Sequence, residues 1–408
     1  MIKTYKKVLD NGITLLFVPD KTKNITHCEI IIKFGGSNRA FIYNEKKYNI
    51  PYGLAHLLEH NIVENSIYGN AINHFNEYHT NFNAVTTSNR TSFYFDTVYD
   101  FYSRLEELIN IVNKPLFTNK LEEIKNPIYE EIKRKNDSYN YNYFKTLNEC
   151  IYNNNYINIL GDINTINKIN NDELKFIHEI FYNSQNQIIA ISGNFDIDKT
   201  IKIINKLYKN NDYKYEKIDN QEKYDVNIKE KTIIESNFNE EVTLAFKIPS
   251  NKFTKAEKIK LTYYLGFFLK YNFDDNSNNF KEVVSKKYSL TSFSRNIDRI
   301  LNNMVILTIG LSTKYKNEVK NIILDSINKK YISSEYFELE KRMVLINYIK
   351  NSSNINYIFD QFLSNYLMFD YSKINNINFI ENLNYDECIN LLKRLDFSNY
   401  TVVSQIKE

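Results

Sequence analysis

Apolar and polar positions near the start of the chain follow a pattern typical of β-structure. Residues 4–9 and 13–18 form two short runs of strand character, separated by Asp10-Asn11-Gly12. Because Asn-Gly supplies the positive-φ pair that a tight hairpin turn needs, the two runs are predicted to pair. A further strand is predicted over residues 28–34, ending at Gly35-Gly36.

A longer apolar stretch follows Pro51 and Gly53. It runs from Leu54 to Val63 and is apolar except for its His, Glu and Asn residues. The stretch is too apolar for a surface helix and too long for most strands. The pattern therefore predicts a buried helix that carries ionisable groups.

Strand and helix patterns alternate through the rest of the chain. Residues 85–87 and 91–98 are predicted to form a second β-pair, and residues 101–112 have apolar positions at helical spacing. The two halves place their elements in a similar order, which indicates two copies of one α/β plan. The further elements predicted are strands at 187–192, 241–248, 290–297, 303–311 and 401–404, and helices at 198–208, 255–270 and 279–287.

A polar segment near the midpoint is predicted to link two domains. Residues 213–224 are polar and charged and have no apolar period, as is typical of a linker. A chain of 408 residues also exceeds the size of one ordinary core. The predicted organisation is an N-terminal domain over 1–212, a linker over 213–228 and a C-terminal domain over 229–408.

Composition and charge are typical of a globular protein and argue against several classes of function. The 52 basic residues nearly balance the 49 acidic ones, and a net charge of +3 spread along the chain does not indicate a nucleic-acid-binding protein. The three distant cysteines provide neither a disulfide framework nor a thiolate metal site. No apolar segment has the length of a membrane span or the place of a secretory signal. A cytoplasmic protein with no membrane partner is expected.

The predicted helix at 54–63 carries the sequence His-Leu-Leu-Glu-His from His56 to His60. Residues four apart lie on one face of a helix, so two imidazoles placed there can bind one metal ion. The spacing is the H-x-x-E-H form, in which both His bind zinc and the Glu, here Glu59, serves a water molecule as base. The alternative is a chance meeting of core side chains; it is disfavoured because burying three ionisable groups is costly unless they are paired or bind metal.

A catalytic zinc site needs a third protein ligand, and Glu131 is the candidate. Asn126-Pro127 is predicted to begin a helix, as its N-cap and first residue. Helical periodicity then places Glu131 on the inward face with Ile128 and Ile132 and turns Glu130 outward. The alternative is that both carboxylates are solvated at the surface, which is the usual state of a Glu-Glu pair.

Taken together, these segments resemble the M16 peptidase family, which includes pitrilysin, insulin-degrading and mitochondrial processing peptidases. The resemblance is to the half-length bacterial (M16B-like) members in particular, and it covers the N-terminal half in the order that the family has. The matching segments are Asn11-Gly12 with the following strand, Gly53 to His60, Asn83-Ala84-Val85-Thr86, Ile128-Tyr129-Glu130-Glu131-Ile132 and Ser192-Gly193-Asn194-Phe195-Asp196.

The resemblance implies an α+β fold of two homologous LuxS/metallohydrolase-like domains, each a mostly antiparallel sheet flanked by helices. The N-terminal domain is implied to bind Zn²⁺ and the C-terminal domain to be inactive. The implied activity is that of an endopeptidase acting on extended or unfolded peptides, with precursor or leader peptides as one substrate class. Glu59 is its implied catalytic base, and the implied zinc ligands are His56, His60 and Glu131.

The resemblance also implies a peptide-binding edge strand, to which substrate adds by main-chain hydrogen bonds. An ordinary strand start is an equally good interpretation of any one of its side chains. The residues of this strand are Phe82, Asn83, Ala84 and Val85.

Two features depart from the family pattern. Relatives carry a further Glu seven residues before the third ligand, where this chain has Ile124. Relatives also carry an Arg and a Tyr that hold the substrate carbonyl, in the C-terminal half or in a partner subunit; alignment on Leu290 places Ser285 and Ser292 there. The chain is therefore expected to be the metal-bearing subunit of a heterodimer. Its partner would be a second M16-like subunit without H-x-x-E-H that supplies the Arg/Tyr pair, and a second copy of this chain is the other candidate.

Two competing hypotheses remain open at the level of sequence. One is a catalytically degenerate M16-like structural subunit, against which the retention of all three implied ligands argues. The other is a metal-dependent peptide-binding module without hydrolytic activity, which the missing Arg/Tyr pair favours.

Overall fold

The structure is a computed structural model, in which two compact units are each built from separate stretches of the chain. Unit 1 comprises Met1–Ser138, Ile157–Asn220 and Lys350–Ile374, and unit 2 comprises Tyr139–Tyr156, Gln221–Ile349 and Asn375–Glu408. The residues described are 2–153, 158–208, 214–218, 223–234, 240–273, 280, 287–288, 292–298, 304–370 and 377–407.

Unit 1 contains a six-stranded sheet with the order β1-β2-β8-β3-β7-β6. All neighbouring pairs are antiparallel except β2 and β8, which are parallel. The hairpin predicted at the start of the chain is confirmed, since Tyr5 pairs with Phe17 and Val8 with Thr14. A small sheet, β5-β4-β9, lies in the same unit. The strands of unit 1 are β1 (Tyr5–Val8), β2 (Thr14–Pro19), β3 (Thr26–Ile32), β4 (Ala40–Tyr43), β5 (Lys46–Asn49), β6 (Asn81–Thr86), β7 (Thr91–Thr97), β8 (Gln187–Gly193) and β9 (Glu216–Lys217).

The helices of unit 1 bury their apolar faces in one core with this sheet. Leu57, Leu58 and Ile62 of α1 are wholly buried there, in the same core as Ile30 of β3. The helices are α1 (Leu54–Glu64), α2 (Ala71–Glu77), α3 (Phe101–Asn113), α4 (Leu121–Asn136), α6 (Ile163–Lys168), α7 (Asn171–Phe181), α8 (Ile197–Leu207) and α12 (Ile355–Phe369), with a 3₁₀ turn at Ser184–Asn186.

Helix α4 begins earlier than the sequence pattern predicted. Its first residue is Leu121, and Pro127 lies inside the helix, so the predicted start at Asn126-Pro127 is wrong. Proline removes one backbone donor and so leaves the carbonyl of Glu123 without its helical partner. The buried side chains of Leu121 and Ile124 offset that loss, because they extend the apolar face by another turn.

The two halves of the chain exchange one helix each. Alternate residues of β3 point to opposite faces, so Cys28 lies in the core while the His27 ring lies 5.1 Å from that of Phe359 in α12. Helix α12, from the C-terminal half, thus covers the other face of the unit 1 sheet. Conversely, Tyr143 of α5 (Tyr139–Ile151), from the N-terminal half, donates a hydrogen bond of 2.8 Å to Thr243 in unit 2.

Unit 2 repeats the plan of unit 1. Its sheet has the order β10-β14-β11-β13-β12; β10 and β14 are parallel and the other neighbouring pairs are antiparallel, as for β2-β8-β3-β7-β6. The predicted α+β fold with two related domains is confirmed. Its strands are β10 (Glu230–Ile234), β11 (Glu241–Pro249), β12 (Ser292–Asp298), β13 (Met304–Ser312) and β14 (Tyr400–Ile406), and its helices are α5 (Tyr139–Ile151), α9 (Lys255–Phe273), α10 (Lys316–Asn328), α11 (Ser334–Asn351), α13 (Ile377–Glu381) and α14 (Tyr385–Lys393). The last two residues of α11 are counted in unit 1.

Three expectations about organisation have different outcomes. The boundaries drawn at 1–212, 213–228 and 229–408 stay a prediction, while the units themselves are discontinuous along the chain. The helix predicted at 279–287 lies almost wholly outside the described residues. Among the helices described, none combines the length and apolarity that crossing a membrane requires.

We expect Gly53→Ala to destabilise the protein strongly, because Gly53 precedes α1 with a φ of 81° and a Cβ there would lie 2.5 Å from the Leu160 carbonyl oxygen. Gly69→Ala is the matched control: its φ is also 81°, but a Cβ there meets nothing within 4 Å. The positive φ costs about 1–2 kcal/mol in both variants, and the clash adds about 1–3 kcal/mol at Gly53 alone. Urea unfolding measures the difference, and equal losses would contradict the steric argument.

Candidate metal centre

Helix α1 positions three ionisable side chains on its polar side. Its apolar residues fix the rotation of the helix, so that His56 and His60 lie next to each other one turn apart. Their rings are 4.6 Å apart at an angle of 74°. His56 is 8% exposed and Glu59 is 7% exposed, so these groups are largely removed from water.

Helix α4 brings Glu131 to the two histidines. Ile128 and Ile132 are buried on the inner face of α4, and the half-buried Glu131 lies at the edge of that face. Its Oε2 is 3.6 Å from His56 Nε2, whereas Glu130 points outward and pairs with Lys133. One ligand atom from each of His56, His60 and Glu131 lies within 4.8 Å of the others. The structure therefore brings together the three residues that the sequence proposed as ligands.

The electrostatics of this cluster suit a cation. Burial lowers the pKa of His56 to about 4, with a further contribution from His60. Burial also lowers the pKa of His60, against the opposing effect of Glu131. Neutral imidazoles keep a lone pair for a metal, and two imidazole nitrogens with one carboxylate oxygen form a donor set of catalytic zinc sites. His56 Nδ1 is buried and has no hydrogen bond among the described residues, so one ring nitrogen lacks the partner that such ligands usually have.

Glu59 is held by the strand next to α1. Thr86, the last residue of β6, donates a hydrogen bond of 2.6 Å from its hydroxyl to Glu59 Oε2. Burial raises the pKa of Glu59 to about 7, although the bond from Thr86 acts in the opposite direction. A carboxyl group with a pKa near neutrality can both accept and donate a proton under ordinary conditions.

Strand β6 lies at the end of the six-stranded sheet and pairs with β7. Of the four residues implied to bind peptide, Asn83 and Val85 are exposed, Ala84 is half-buried and Phe82 is buried against Phe75. Phe82 therefore reaches an added peptide through its main chain. Within the described part of the chain no strand pairs with the outer edge of β6, which leaves main-chain groups for β-augmentation.

Two contacts at the centre were missed from the sequence. Thr86 belongs to the Asn-Ala-Val-Thr segment that carries the resemblance, but its contact with Glu59 depends on how α1 packs against β6. Lys135 Nζ lies 3.3 Å from Glu131 Oε1, one helical turn along α4, and this pair could have been found from the i,i+4 spacing.

The two positions aligned with the family's Arg and Tyr, Ser285 and Ser292, lie in the C-terminal half of the chain. Ser285 lies outside the described residues, and Ser292 is the first residue of β12. Arg295, further along β12, donates a hydrogen bond of 3.0 Å to the carbonyl oxygen of Phe273. Tyr288 packs with Tyr315. Tyr288 and Arg295 thus each have a contact within unit 2.

Comparison with known proteins gives consistent matches. Residues 20–160 match the family described as insulinase (peptidase family M16). The chain is 24% identical over 407 residues to the "uncharacterized zinc protease YmfH" of Bacillus subtilis (strain 168), covering 95% of this chain and 93% of that protein.

Solved structures share the fold. A putative M16-like peptidase from Alicyclobacillus acidocaldarius has a TM-score of 0.89 at 17% identity, over 100% of this chain and 99% of that one. A peptidase M16 inactive domain from Pseudomonas fluorescens has a TM-score of 0.77 at 14% identity, over 100% and 98%. At these identities the likeness concerns the fold.

We expect Glu131→Gln to weaken Zn²⁺ binding, because a neutral amide is a poorer ligand than a carboxylate. The loss should exceed the roughly 10–100-fold that removal of an outer partner costs. Glu130→Gln makes the same change one residue away, on a side chain that is 73% exposed, and should leave binding unchanged. Competition with a chromophoric chelator measures both affinities; equal effects would contradict the assignment of Glu131.

Proposed function

We propose that the chain is a zinc-dependent endopeptidase of peptidase family M16, whose model matches residues 20–160, and that it hydrolyses extended or unfolded peptides. The observation that carries the proposal is the convergence of His56, His60 and Glu131 beside Glu59, a buried carboxyl group with a pKa near 7. The proposed substrates include precursor or leader peptides. A cytoplasmic location remains a prediction.

The proposed chemistry divides between the cofactor and the protein. When bound by His56, His60 and Glu131, Zn²⁺ supplies Lewis acidity that makes water a nucleophile near neutral pH. Glu59 accepts the proton from the attacking water on its carboxylate and then donates it to the leaving amine. The hydroxyl of Thr86 holds Glu59 Oε2 during both transfers, so the carboxylate keeps one orientation.

Strand β6 is the proposed substrate-binding edge. A peptide that adds to its free edge is held by main-chain hydrogen bonds, which favours extended chains over folded ones. The outward side chains of Asn83 and Val85 would lie beside the peptide. Thr86, at the end of the same strand, contacts Glu59, so this strand links substrate alignment to the proton-transferring group.

We further propose that the chain is the metal-bearing subunit of a heterodimer. In this sequence Ser285 and Ser292 stand where the family carries an Arg and a Tyr for the substrate carbonyl. A second M16-like subunit without H-x-x-E-H would supply that pair; a second copy of this chain carries the same serines. All six histidines lie at or before His178, so the chain's own C-terminal half has no imidazole to build a second such centre.

The competing proposal is a catalytically degenerate M16-like subunit that serves a structural or peptide-binding role. The missing Arg/Tyr pair favours it, and one protein of similar fold is described as an inactive M16 domain. The buried Glu59 argues against it, because a peptide-binding module gains nothing from a desolvated carboxyl group at the metal centre.

Glu59→Gln is expected to retain zinc and lose hydrolysis, since the amide cannot accept the proton from water. Loss of a general base lowers kcat by about 10²–10⁴-fold. Glu64→Gln, the same change at an exposed position of α1, serves as the control and should keep most of the activity. Zinc content and cleavage of a fluorogenic peptide library measure both; an active Glu59→Gln enzyme would refute the role.

The purified chain alone is expected to bind zinc yet cleave peptides slowly. A partner subunit that contributes the Arg/Tyr pair should raise kcat by about 10²–10³-fold, the usual effect of a group that stabilises the oxyanion. The matched control is the same partner with its Arg and Tyr changed to Ala, which should assemble without restoring the rate. Robust turnover by the lone chain would overturn the heterodimer proposal.

A further inference from the structure

Helix α11 is apolar on two opposite faces. On its inner face Phe337 is wholly buried in the unit 2 core and Tyr348 is 7% exposed. On its outer face Leu339, Met343 and Ile346 are 51%, 52% and 47% exposed. A helix at the surface of a domain usually shows one apolar face, so the outer one requires a separate explanation.

The outer apolar residues form one continuous stripe. Leu339, Met343 and Ile346 are separated by four and three positions, the spacing that places side chains on one face of a helix. The rotation of the helix is fixed from the other side, where Glu340 Oε2 lies 2.6 Å from Lys270 Nζ of α9. The stripe therefore faces outward because the packing of unit 2 holds it there.

A charged residue of opposite sign lies at each end of the stripe. Glu335 is four positions before Leu339, and Lys350 is four positions after Ile346, so both share its face. Both are exposed. The order along the face is therefore acidic, apolar and basic, with the exposed Arg342 beside Met343 at the edge of the stripe.

This order is self-complementary. The midpoint of the stripe falls between positions 342 and 343, and Glu335 and Lys350 are equally distant from it, as are Leu339 and Ile346. When two such helices lie antiparallel about a two-fold axis through that midpoint, Glu335 of each copy meets Lys350 of the other and Leu339 meets Ile346. A two-fold contact requires a surface that is complementary to itself in this way.

We propose that the outer stripe of α11, formed by Glu335, Leu339, Met343, Ile346 and Lys350, docks a second copy of this chain in antiparallel orientation. The order of the terminal charges favours this occupant, because antiparallel pairing brings Glu335 of each copy to Lys350 of the other and places the apolar residues against one another. The apolar area is smaller than the ~800 Å² per partner of a standard interface, so the dimer is weak and depends on concentration. The proposal is independent of peptidase activity and of the Arg/Tyr subunit.

The first test uses sedimentation velocity of the full chain from low micromolar to a few hundred micromolar. The wild-type protein should move from the mass of one chain towards twice that mass. Met343→Glu places two carboxylates near the two-fold axis and should weaken the dimer at least ~10-fold, since facing like charges oppose association. Met368→Glu on α12, a methionine that is 51% exposed, is the matched control and should leave the dimer unchanged.

The second test asks whether the pairing is antiparallel. Glu335→Lys and Lys350→Glu should each weaken the dimer about 2- to 30-fold, because the two-fold axis repeats each exposed ion pair. The double variant exchanges the charges and should restore wild-type affinity. Urea midpoints of all variants verify that the fold is intact.

Three results would overturn the proposal: a chain that stays monomeric throughout, a dimer that survives Met343→Glu, or a double charge exchange that fails to restore pairing. If the lone chain is monomeric but Met343→Glu abolishes binding to a different subunit, the stripe belongs to that subunit instead.

Discussion

Burying ionisable groups against one helix is the constraint on which unit 1 depends. The side chains of His56 and Glu59 are almost completely buried, and Glu131 approaches them from a second helix. Each group alone would lose hydration without compensation. The cluster reduces that cost because a carboxylate faces an imidazole and a hydroxyl faces the other carboxylate. The two imidazoles still have ring-nitrogen lone pairs that can bind a divalent cation. The burial that costs stability therefore also creates a site that favours metal binding.

The parts of the metal centre that could be predicted are those fixed by residues that lie close together in the sequence. His56 and His60 are one turn apart on one helix, so their approach is written in local spacing. Glu131 was reached by periodicity within α4, although the start of that helix at Asn126 was wrong. The error arose because Asn-Pro favours a helix start locally, whereas burial of Leu121 and Ile124 in the core decided the outcome. The prediction that Glu131 lies on the inward face of α4 was unaffected, because moving the start of a helix along the chain does not change which residues share a face.

Contacts between elements distant in sequence were beyond prediction. Local patterns show that α5 and α12 each have an apolar face, but they do not specify which sheet that face meets. In the structure α12 covers β2 and β8 while α5 packs on β11 and β14, so each unit needs a helix from the other half of the chain. The contact of Thr86 with Glu59 has the same origin, because it depends on how α1 lies on β6. The local patterns of one sequence therefore do not specify which helix packs on which sheet.

The two units share one arrangement of elements but differ in the charged groups at corresponding helices. Helices α1 and α4 in unit 1 correspond in chain order to α9 and α11 in unit 2, where Lys270 Nζ lies 2.6 Å from Glu340 Oε2. In unit 2 the positive charge facing the carboxylate of α11 is a lysine ammonium, so that carboxylate needs no ion. In unit 1 the corresponding contact combines imidazoles with Glu131 and still has lone pairs to offer. The ammonium group of Lys270 in unit 2 is a cation supplied by the chain itself, whereas His56, His60 and Glu131 in unit 1 form a donor set for a metal ion, which explains why chemistry is expected in one unit of this repeat alone.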